Sequence, residues 1–220
     1  MQDPYTYKNG VLINKLGIED YDELNKAEAS IGFVKLIDID SIKPSNFNEK
    51  SITQIHKHIF EDIFDWAGEF RTVPLFKEEL VLGGISVPYS DPSKIERDII
   101  VHLNDLNSVI WQNLNIDEKA FTFAREISLL WRIHPFRDGN TRTILSFAYI
   151  YAKEHGFPFD IETFTNMLSR KYDENGKITS FSVRDHFVLA CLDEAPEVEH
   201  LAYLFKKAIA NKEEKSLQKK

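Results

Sequence analysis

The sequence predicts a mainly helical fold with one small β-hairpin, and three observations support this. Apolar residues recur at helical spacing through most of the 220 residues. β-prone residues concentrate around Gly83-Gly84, where Leu82 precedes the glycines and Ile85 follows them, as in a hairpin. A composition that is 43% hydrophobic, with 16 phenylalanines, can fill one sizeable core.

An extended lead-in and two helices are expected before the hairpin. Asn9-Gly10 signals a turn in the lead-in. Apolar residues then recur at helical spacing over residues 22–40, which predicts the first helix. Ser51 is expected to cap the second helix, and Gly68 to end it.

The segment after the hairpin is predicted to consist of helices and the turns between them. A helix capped by Asp91 or Ser93 is predicted to run to Ile110, and another to span residues 117–133. A strongly apolar helix follows a polar turn and ends at Gly156. Two or three shorter helices are predicted after it, around residues 163–170, 183–192 and 198–210.

We expect one domain over residues 1–212, with its core at about 50–160 and the hairpin, called the flap below, at about 72–90. The charged residues 213–220 are expected to form a disordered tail. A net charge of −8 argues against nucleic acid or an anionic membrane as a partner. No signal peptide or membrane span is visible.

A polar turn from His134 to Arg142 separates the two most apolar helices. It precedes a helix N-terminus, where unpaired N–H groups and the helix dipole attract phosphates. Gly139 allows close approach, Asn140 adds an amide donor, and Arg142 offers a guanidinium suited to phosphate oxygens. Asp138 fits this site if Mg²⁺ joins it to the phosphates, and His134 can accept a proton. These residues predict transfer of a phosphorus centre onto a hydroxyl.

The same residues also have a purely structural interpretation. His134 could be a packed side chain at the end of an apolar helix face. Asp138 or Asn140 could simply cap the following helix. Residue types and spacing alone leave these alternatives open.

The string HPFRDGNTR, residues 134–142, resembles the signature H-P-F-x-[D/E]-G-N-x-R of the Fic family, with every fixed position matched. The segments IHKHIFEDIFDWAGEFRTV, residues 55–73, and YTYKNGVLINKLGI, residues 5–18, also resemble Fic proteins. The resemblance covers residues 5–159 and implies an all-α Fic fold with a β-hairpin flap.

The resemblance implies transfer of AMP from ATP to a serine, threonine or tyrosine hydroxyl of a target protein. His134 would be the base and Asp138 the Mg²⁺ ligand. The implied phosphate-binding residues are Gly139, Asn140, Thr141 and Arg142. Arg137 occupies a variable position of the motif, where it would face either phosphate or solvent.

By the same resemblance, the flap would pair with the main chain of the target protein. Its docking residues would be Leu82, Gly83, Gly84 and Ile85. Lys77 lies at the start of the flap, where it would either approach the nucleotide or remain a solvated edge lysine.

Two positions depart from the common AMP-transferring motif. Thr141 replaces a glycine, and Leu145 replaces a second arginine that helps to hold the γ-phosphate. Doc-type relatives also lack that arginine and phosphorylate their target, but they carry lysine where this chain has Thr141. Phosphate transfer, transfer of another nucleotide fragment, and a non-catalytic partner-binding scaffold therefore remain alternatives to AMP transfer.

The inhibitory pattern [S/T]-x-x-x-E-[G/N] does not occur near either end of the sequence. The resemblance therefore implies that any inhibitor is a separate antitoxin protein. The family also implies a location in the bacterial cytoplasm or, after delivery, in the cytosol of a host cell.

Overall fold

The structure is a computed structural model that describes residues 3–167 and 169–217. Eight α-helices form in these residues: α1 Tyr21–Ile37, α2 Glu49–Phe60, α3 Ile95–Ser108, α4 Ile116–Ile133, α5 Asn140–Glu154, α6 Glu162–Thr165, α7 Val183–Ala190 and α8 Val198–Leu217. Two short strands, β1 Lys171–Tyr172 and β2 Ile178–Ser180, pair in antiparallel fashion. The mainly helical fold is as predicted.

Side-chain caps explain where several helices begin. Asp20 caps α1 and Asn48 caps α2, while Asn115 and Ser182 cap α4 and α7 through capping boxes. The prediction that Ser51 caps α2 is wrong, because the side chain of Asn48 accepts the hydrogen bond from Ser51 N. The helix therefore begins at Glu49, three residues earlier than a cap at Ser51 would place it.

Several predicted helix ends also shift. Helix α2 ends at Phe60 rather than near Gly68, because turns after it bring Phe64 back into the core. Helix α1 ends at Ile37, and a 3-10 turn follows it. Helix α8 continues through Leu217, so residues 213–217 are helical where a disordered tail was expected. Residues 218–220 of that tail lie outside the described residues.

Helices α4 and α5 form the centre of the core. Phe123, Ile127 and Leu130 of α4 are buried, and α8 packs along the same helix. In α5, Phe147 and Leu145 point in different directions and both are buried, as predicted for a helix that is apolar on most sides. Each such side chain contributes about 1.5–3 kcal/mol through burial. Over the described residues, no helix is both long and apolar enough to span a bilayer.

The prediction of a β-hairpin within the flap is wrong for the described structure. Leu80–Leu82 forms a 3-10 turn, and Gly83 and Gly84 both adopt left-handed conformations, with φ of 64° and 91°. The segments before and after the tip are joined mainly by a hydrogen bond of 3.0 Å from Gly84 N to the carbonyl of Glu79. A coiled tip of this kind leaves too few ladder hydrogen bonds to form strands.

The two-stranded sheet lies later in the chain, directly after residues 163–170, where a helix was predicted. Helix α6 covers only Glu162–Thr165 of that segment. Asp173 accepts hydrogen bonds from the backbone N–H groups of Asn175 and Lys177, and Gly176 adopts a φ of 78°. The Asn175-Gly176 pair is a strong hairpin signal, which the sequence prediction overlooked.

Candidate active site

The loop between α4 and α5 begins and ends with a left-handed residue. His134, with a φ of 51°, follows the last turn of α4, and Gly139, with a φ of 76°, precedes α5. A left-handed conformation costs a residue other than glycine about 1–2 kcal/mol, so the surrounding contacts must hold His134 in place.

The His134 imidazole lies between two aromatic rings. Tyr89 stacks on it with a centroid distance of 4.2 Å, and Trp131 meets it edge-on at 4.8 Å. Nδ1 lies 3.2 Å from the Trp131 carbonyl oxygen, which can only accept a hydrogen bond, so Nδ1 carries the proton. Nε2 therefore presents a lone pair, and it is buried without a hydrogen-bond partner among the described residues.

Burial, together with the positive charges of Lys77 and Arg184, lowers the pKa of His134 well below 6.5. The imidazole is therefore neutral at pH 7, which is the form that can accept a proton.

Asp138 lies four residues after His134 and carries the ionised carboxylate of the loop. Its Oδ1 accepts a hydrogen bond from Gly139 N at 2.8 Å and lies 3.6 Å from Lys77 Nζ. Burial raises the pKa of Asp138, but the charges of Lys77 and Arg142 and the bond from Gly139 outweigh burial and lower it to about 2. The side chain remains 40% exposed, so the carboxylate is accessible.

Helix α5 begins without a side-chain cap, unlike α1, α2, α4 and α7. The N–H of Thr143 is the first to bond back within the helix, to the Gly139 carbonyl at 3.0 Å. The N–H groups of Asn140, Thr141 and Arg142 come before it and have no carbonyl acceptor within the helix. A phosphate at this point could accept all three of them.

The side chains of Asn140 and Thr141 support the loop instead of facing a ligand. The Asn140 amide accepts from Phe136 N at 2.9 Å and donates to the Phe136 carbonyl at 2.8 Å. The Asn140 side chain is buried and bonds to the Phe136 backbone in this structure, so its donation to a phosphate stays a prediction. Thr141 Oγ1 accepts from Trp131 Nε1 at 3.0 Å. The backbone N–H groups of these two residues lie at the start of α5, where the predicted role requires them.

The two arginines of the motif are both paired with acidic residues. Arg142 bonds to the Glu28 carboxylate of α1 at 2.5 Å and stacks over the Phe60 ring at 4.5 Å. Arg137 bonds to Asp3 in the lead-in at 2.8 Å. The sequence predicted phosphate or solvent as the partner of Arg137, and in the structure Asp3 takes that place.

Gly139 is required for a reason that the sequence did not reveal. A Cβ atom at this position would lie 2.3 Å from Cε2 of Phe60. The glycine therefore allows the loop to pack against α2, in addition to adopting a positive φ.

Arg71 is a functional candidate that the sequence prediction missed. It is buried and donates to the carbonyls of His134 at 2.8 Å, Val73 at 2.7 Å and Ser90. One guanidinium thus fastens both ends of the flap to the turn that carries His134. The signal was the single arginine of residues 55–73, the stretch that resembles Fic proteins.

His56 is the second residue that was missed. Its Nδ1 accepts a hydrogen bond from Gly68 N at 2.8 Å, so Nε2 carries the proton and donates to the Asp138 carbonyl at 3.1 Å. The ring stacks on Phe136 at 3.7 Å. His56 therefore supports the acidic end of the loop from within the core.

The neutral form of His56 makes stability depend on pH. Burial lowers its pKa from 6.5 to about 3, so between these values the unfolded chain binds a proton that the folded chain does not. Stability therefore falls as pH drops below 6.5. Between pH 7.5 and pH 5, His56 is expected to lower the free energy of unfolding by about 2 kcal/mol. This part of the pH dependence should be absent in His56→Gln, as measured by urea unfolding at the two pH values. His58→Gln, on the same helix, is the matched control, and an equal change in both variants contradicts the assignment.

The predicted docking residues of the flap lie at its tip. Ile85 is 70% exposed, and Phe76 and Leu80 nearby are also exposed. Lys77, at the start of the flap, points towards Asp138 and not into bulk solvent. The flap thus places a cation beside Asp138 and presents an exposed apolar surface at and near its tip.

Comparison with known proteins agrees with the fold and the motif. Residues 46–152 match the family model described as Fic/DOC family. The chain is 29% identical over 162 residues to the protein adenylyltransferase VbhT of Bartonella schoenbuchensis, covering 72% of this chain and 32% of VbhT. It is 26% identical to an Escherichia coli protein named "Probable protein adenylyltransferase Fic", covering 63% of this chain and 66% of that protein. The chain thus spans about a third of the length of VbhT.

Solved structures share the architecture across nearly the whole chain. The N-terminal Fic domain of a VirB-translocated Bep effector from Bartonella quintana superposes with a TM-score of 0.70 at 22% identity, covering 93% of this chain and 90% of that one. BepC of Bartonella tribocorum, solved with bound AMPPNP, gives a TM-score of 0.69 at 21% identity, covering 93% of this chain and 95% of that one. Residues 46–152, with the motif, thus match the Fic/DOC family, and nearly the whole chain shares the fold of solved Fic domains.

Proposed function

We propose that this protein transfers AMP from ATP to a hydroxyl side chain of a target protein. The observation that carries the proposal is one loop that combines a neutral imidazole with a free Nε2, an ionised carboxylate and the uncapped N-terminus of α5. The names of the curated relatives, which are protein adenylyltransferases, support the choice of AMP.

In the proposed reaction, Nε2 of His134 takes the proton of the target hydroxyl, whose oxygen attacks the α-phosphorus of ATP. The bond from this phosphorus to the bridging oxygen breaks, and pyrophosphate leaves. The backbone N–H groups of Asn140, Thr141 and Arg142 are placed to stabilise negative charge on the phosphates. Because Nε2 is closed to water in the described structure, a covering side chain must move aside when the target binds.

The residues of the loop fit a Mg²⁺ ion bound together with ATP. Mg²⁺ prefers carboxylate oxygens and is commonly held by one or two carboxylates plus substrate phosphates. The Asp138 carboxylate is ionised and partly exposed beside the α5 N-terminus. Such an ion would neutralise charge on the phosphates. No cluster of three or more acidic, histidine or cysteine side chains occurs in the described part of the chain, so the phosphates would have to complete the site.

The exposed flap tip supports a protein as the acceptor. An extended segment of the target could pair with the backbone near Gly83 and Gly84, with Leu82 and Ile85 supplying apolar contact. We further propose that a separate inhibitor protein controls the enzyme. The site of action would be the bacterial cytoplasm or, as the VirB-translocated relatives suggest, the cytosol of a host cell.

Phosphate transfer is the second candidate, and Leu145 is the observation that favours it. Leu145 lies in the core and is 5% exposed, so no cation is available at that position of α5 for a terminal phosphate. A nucleotide bound in the reverse direction would place its γ-phosphorus at the attack position instead.

Labelled ATP distinguishes the candidates. The protein is incubated with Mg²⁺, a cell lysate as target pool, and ATP labelled at either the α- or the γ-phosphate. We expect protein-bound label from the α position only, whereas label from γ alone would indicate phosphorylation. No label from either, across bacterial and host lysates, would leave the non-catalytic scaffold as the better interpretation.

A further inference from the structure

Glu79, Tyr89 and Arg184 form a hydrogen-bonded cluster next to His134, on whose imidazole Tyr89 stacks. The Glu79 side chain is 1% exposed and accepts hydrogen bonds from the Tyr89 hydroxyl at 2.8 Å and from Arg184 Nε at 3.2 Å. Arg184 Nη2 also bonds the Glu79 carboxylate and donates to the Tyr89 hydroxyl at 3.1 Å. All three side chains therefore bond to one another in a closed triangle.

Glu79 connects this triangle to the flap. Its carbonyl accepts hydrogen bonds from Leu82 N at 2.9 Å and Gly84 N at 3.0 Å, which close the flap tip. The same residue thus holds the tip through its backbone and holds α7 through its carboxylate. Removing either partner of a buried ion pair leaves an unpaired charge, so the three groups act as one unit.

Arg184 connects the triangle to the surroundings of the base. Besides its bond to Tyr89, its guanidinium lies 5.4 Å from the centre of the Trp131 ring. Tyr89 and Trp131 are the two rings that flank the His134 imidazole. One side chain of α7 therefore contacts both aromatic neighbours of the base.

We propose that Glu79 and Arg184 are positioning residues, which hold Tyr89 and Trp131 against His134 and so fix the orientation in which Nε2 meets the target hydroxyl. Arg184 lies beyond residues 46–152, the segment that matches the family model, so part of the support for the base comes from the C-terminal helices. The kinetic part of this inference rests on the proposed function.

Arg184→Gln tests the proposal, with Arg170→Gln as its matched control. Arg170 precedes α7 and donates a hydrogen bond of 2.8 Å to Asp185, which lies next to Arg184 in α7 and is fully buried. Each variant therefore breaks one ion pair between α7 and another part of the chain. Among the described contacts, Arg170 touches neither ring beside His134. Both variants are expected to lose thermal stability. Only Arg184→Gln is expected to lower kcat, by about tenfold to a hundredfold, with ATP affinity unchanged.

A second readout does not require activity. The imidazole signals of His134, assigned in NMR spectra of labelled protein through the loss of signal in a His134 variant, are expected to move in Arg184→Gln and not in Arg170→Gln. If the wild type transfers no label, the proposed function fails, and the NMR comparison alone decides this inference. Equal effects of the two variants on kcat and on these signals would overturn it, as would a rise in kcat for Arg184→Gln.

Two further variants keep the test decisive if Arg184→Gln does not fold. Tyr89→Phe retains the ring that stacks on His134 and removes only its hydroxyl link, so a smaller change in the same direction is expected. Arg184→Lys keeps the charge, but its single ammonium cannot reproduce the planar fork, so it should restore part of the lost kcat. If both variants match the wild type in kcat and in the His134 signals, the proposal is wrong.

Discussion

Replacing His134 by alanine is expected to lower the rate of AMP transfer by about 10² to 10⁴, the usual contribution of a general base. The physical reason is the loss of Nε2, the one nitrogen of this ring that presents a lone pair. The phosphate-binding N–H groups of α5 belong to the backbone and remain. ATP affinity, measured by calorimetry, should therefore stay close to that of the wild type while kcat falls by the stated factor.

The thermal unfolding midpoint of His134→Ala separates catalysis from folding. The imidazole is buried and stacks on Tyr89, so some loss of stability is expected. A variant that is folded at the assay temperature, binds ATP and transfers no label supports His134 as the base. Wild-type rates in the folded variant would show that another group accepts the proton.

Gly139→Ala is expected to have the largest effect on stability, a loss of about 2–5 kcal/mol. Two costs add. The positive φ of 76° is unfavourable for alanine, and its Cβ would lie 2.3 Å from the buried Phe60 ring. The N-terminus of α5 must then move, so ATP affinity should fall as well. Denaturant unfolding and calorimetry measure the two effects.

Gly156 provides a matched control at the opposite end of the same helix. Its φ is 81°, but a Cβ atom there would meet nothing within 4 Å. Gly156→Ala therefore carries the backbone cost alone and should lose about 1–2 kcal/mol with unchanged ATP affinity. In a Phe60→Leu background, Gly139→Ala should cost less than it does in the wild type. Equal losses for the two glycine variants would mean that contact with Phe60 does not constrain the loop.

The motif, the central helices and the position of the candidate loop between them were predictable from the sequence. Helical periodicity is a local property, and the order of His134, Asp138, Gly139 and Arg142 defines the loop chemistry without knowledge of distant residues. The residue types also indicated a base, a metal ligand and a phosphate-binding helix end, which is why the family resemblance and the chemistry agree.

Local signals failed where backbone geometry depended on competing contacts. Gly83-Gly84 indicated a hairpin, yet both glycines are left-handed and the tip coils. Asn175-Gly176 does form a hairpin, in a segment between two predicted helices for which no strand was predicted. The turn signals were correct in kind, but the choice between strand and coil depends on the number of hydrogen bonds that the flanking backbone can form.

The sequence by itself determined the chemistry of one loop and the helices on either side of it. Only the tertiary structure decided which distant side chains support that loop. Arg71 fastens the flap to His134, His56 supports Asp138 from α2, and Glu28 pairs with Arg142 from α1. These contacts join residues that are 63, 82 and 114 positions apart. No periodic pattern records such a separation, because it arises from how the helices pack.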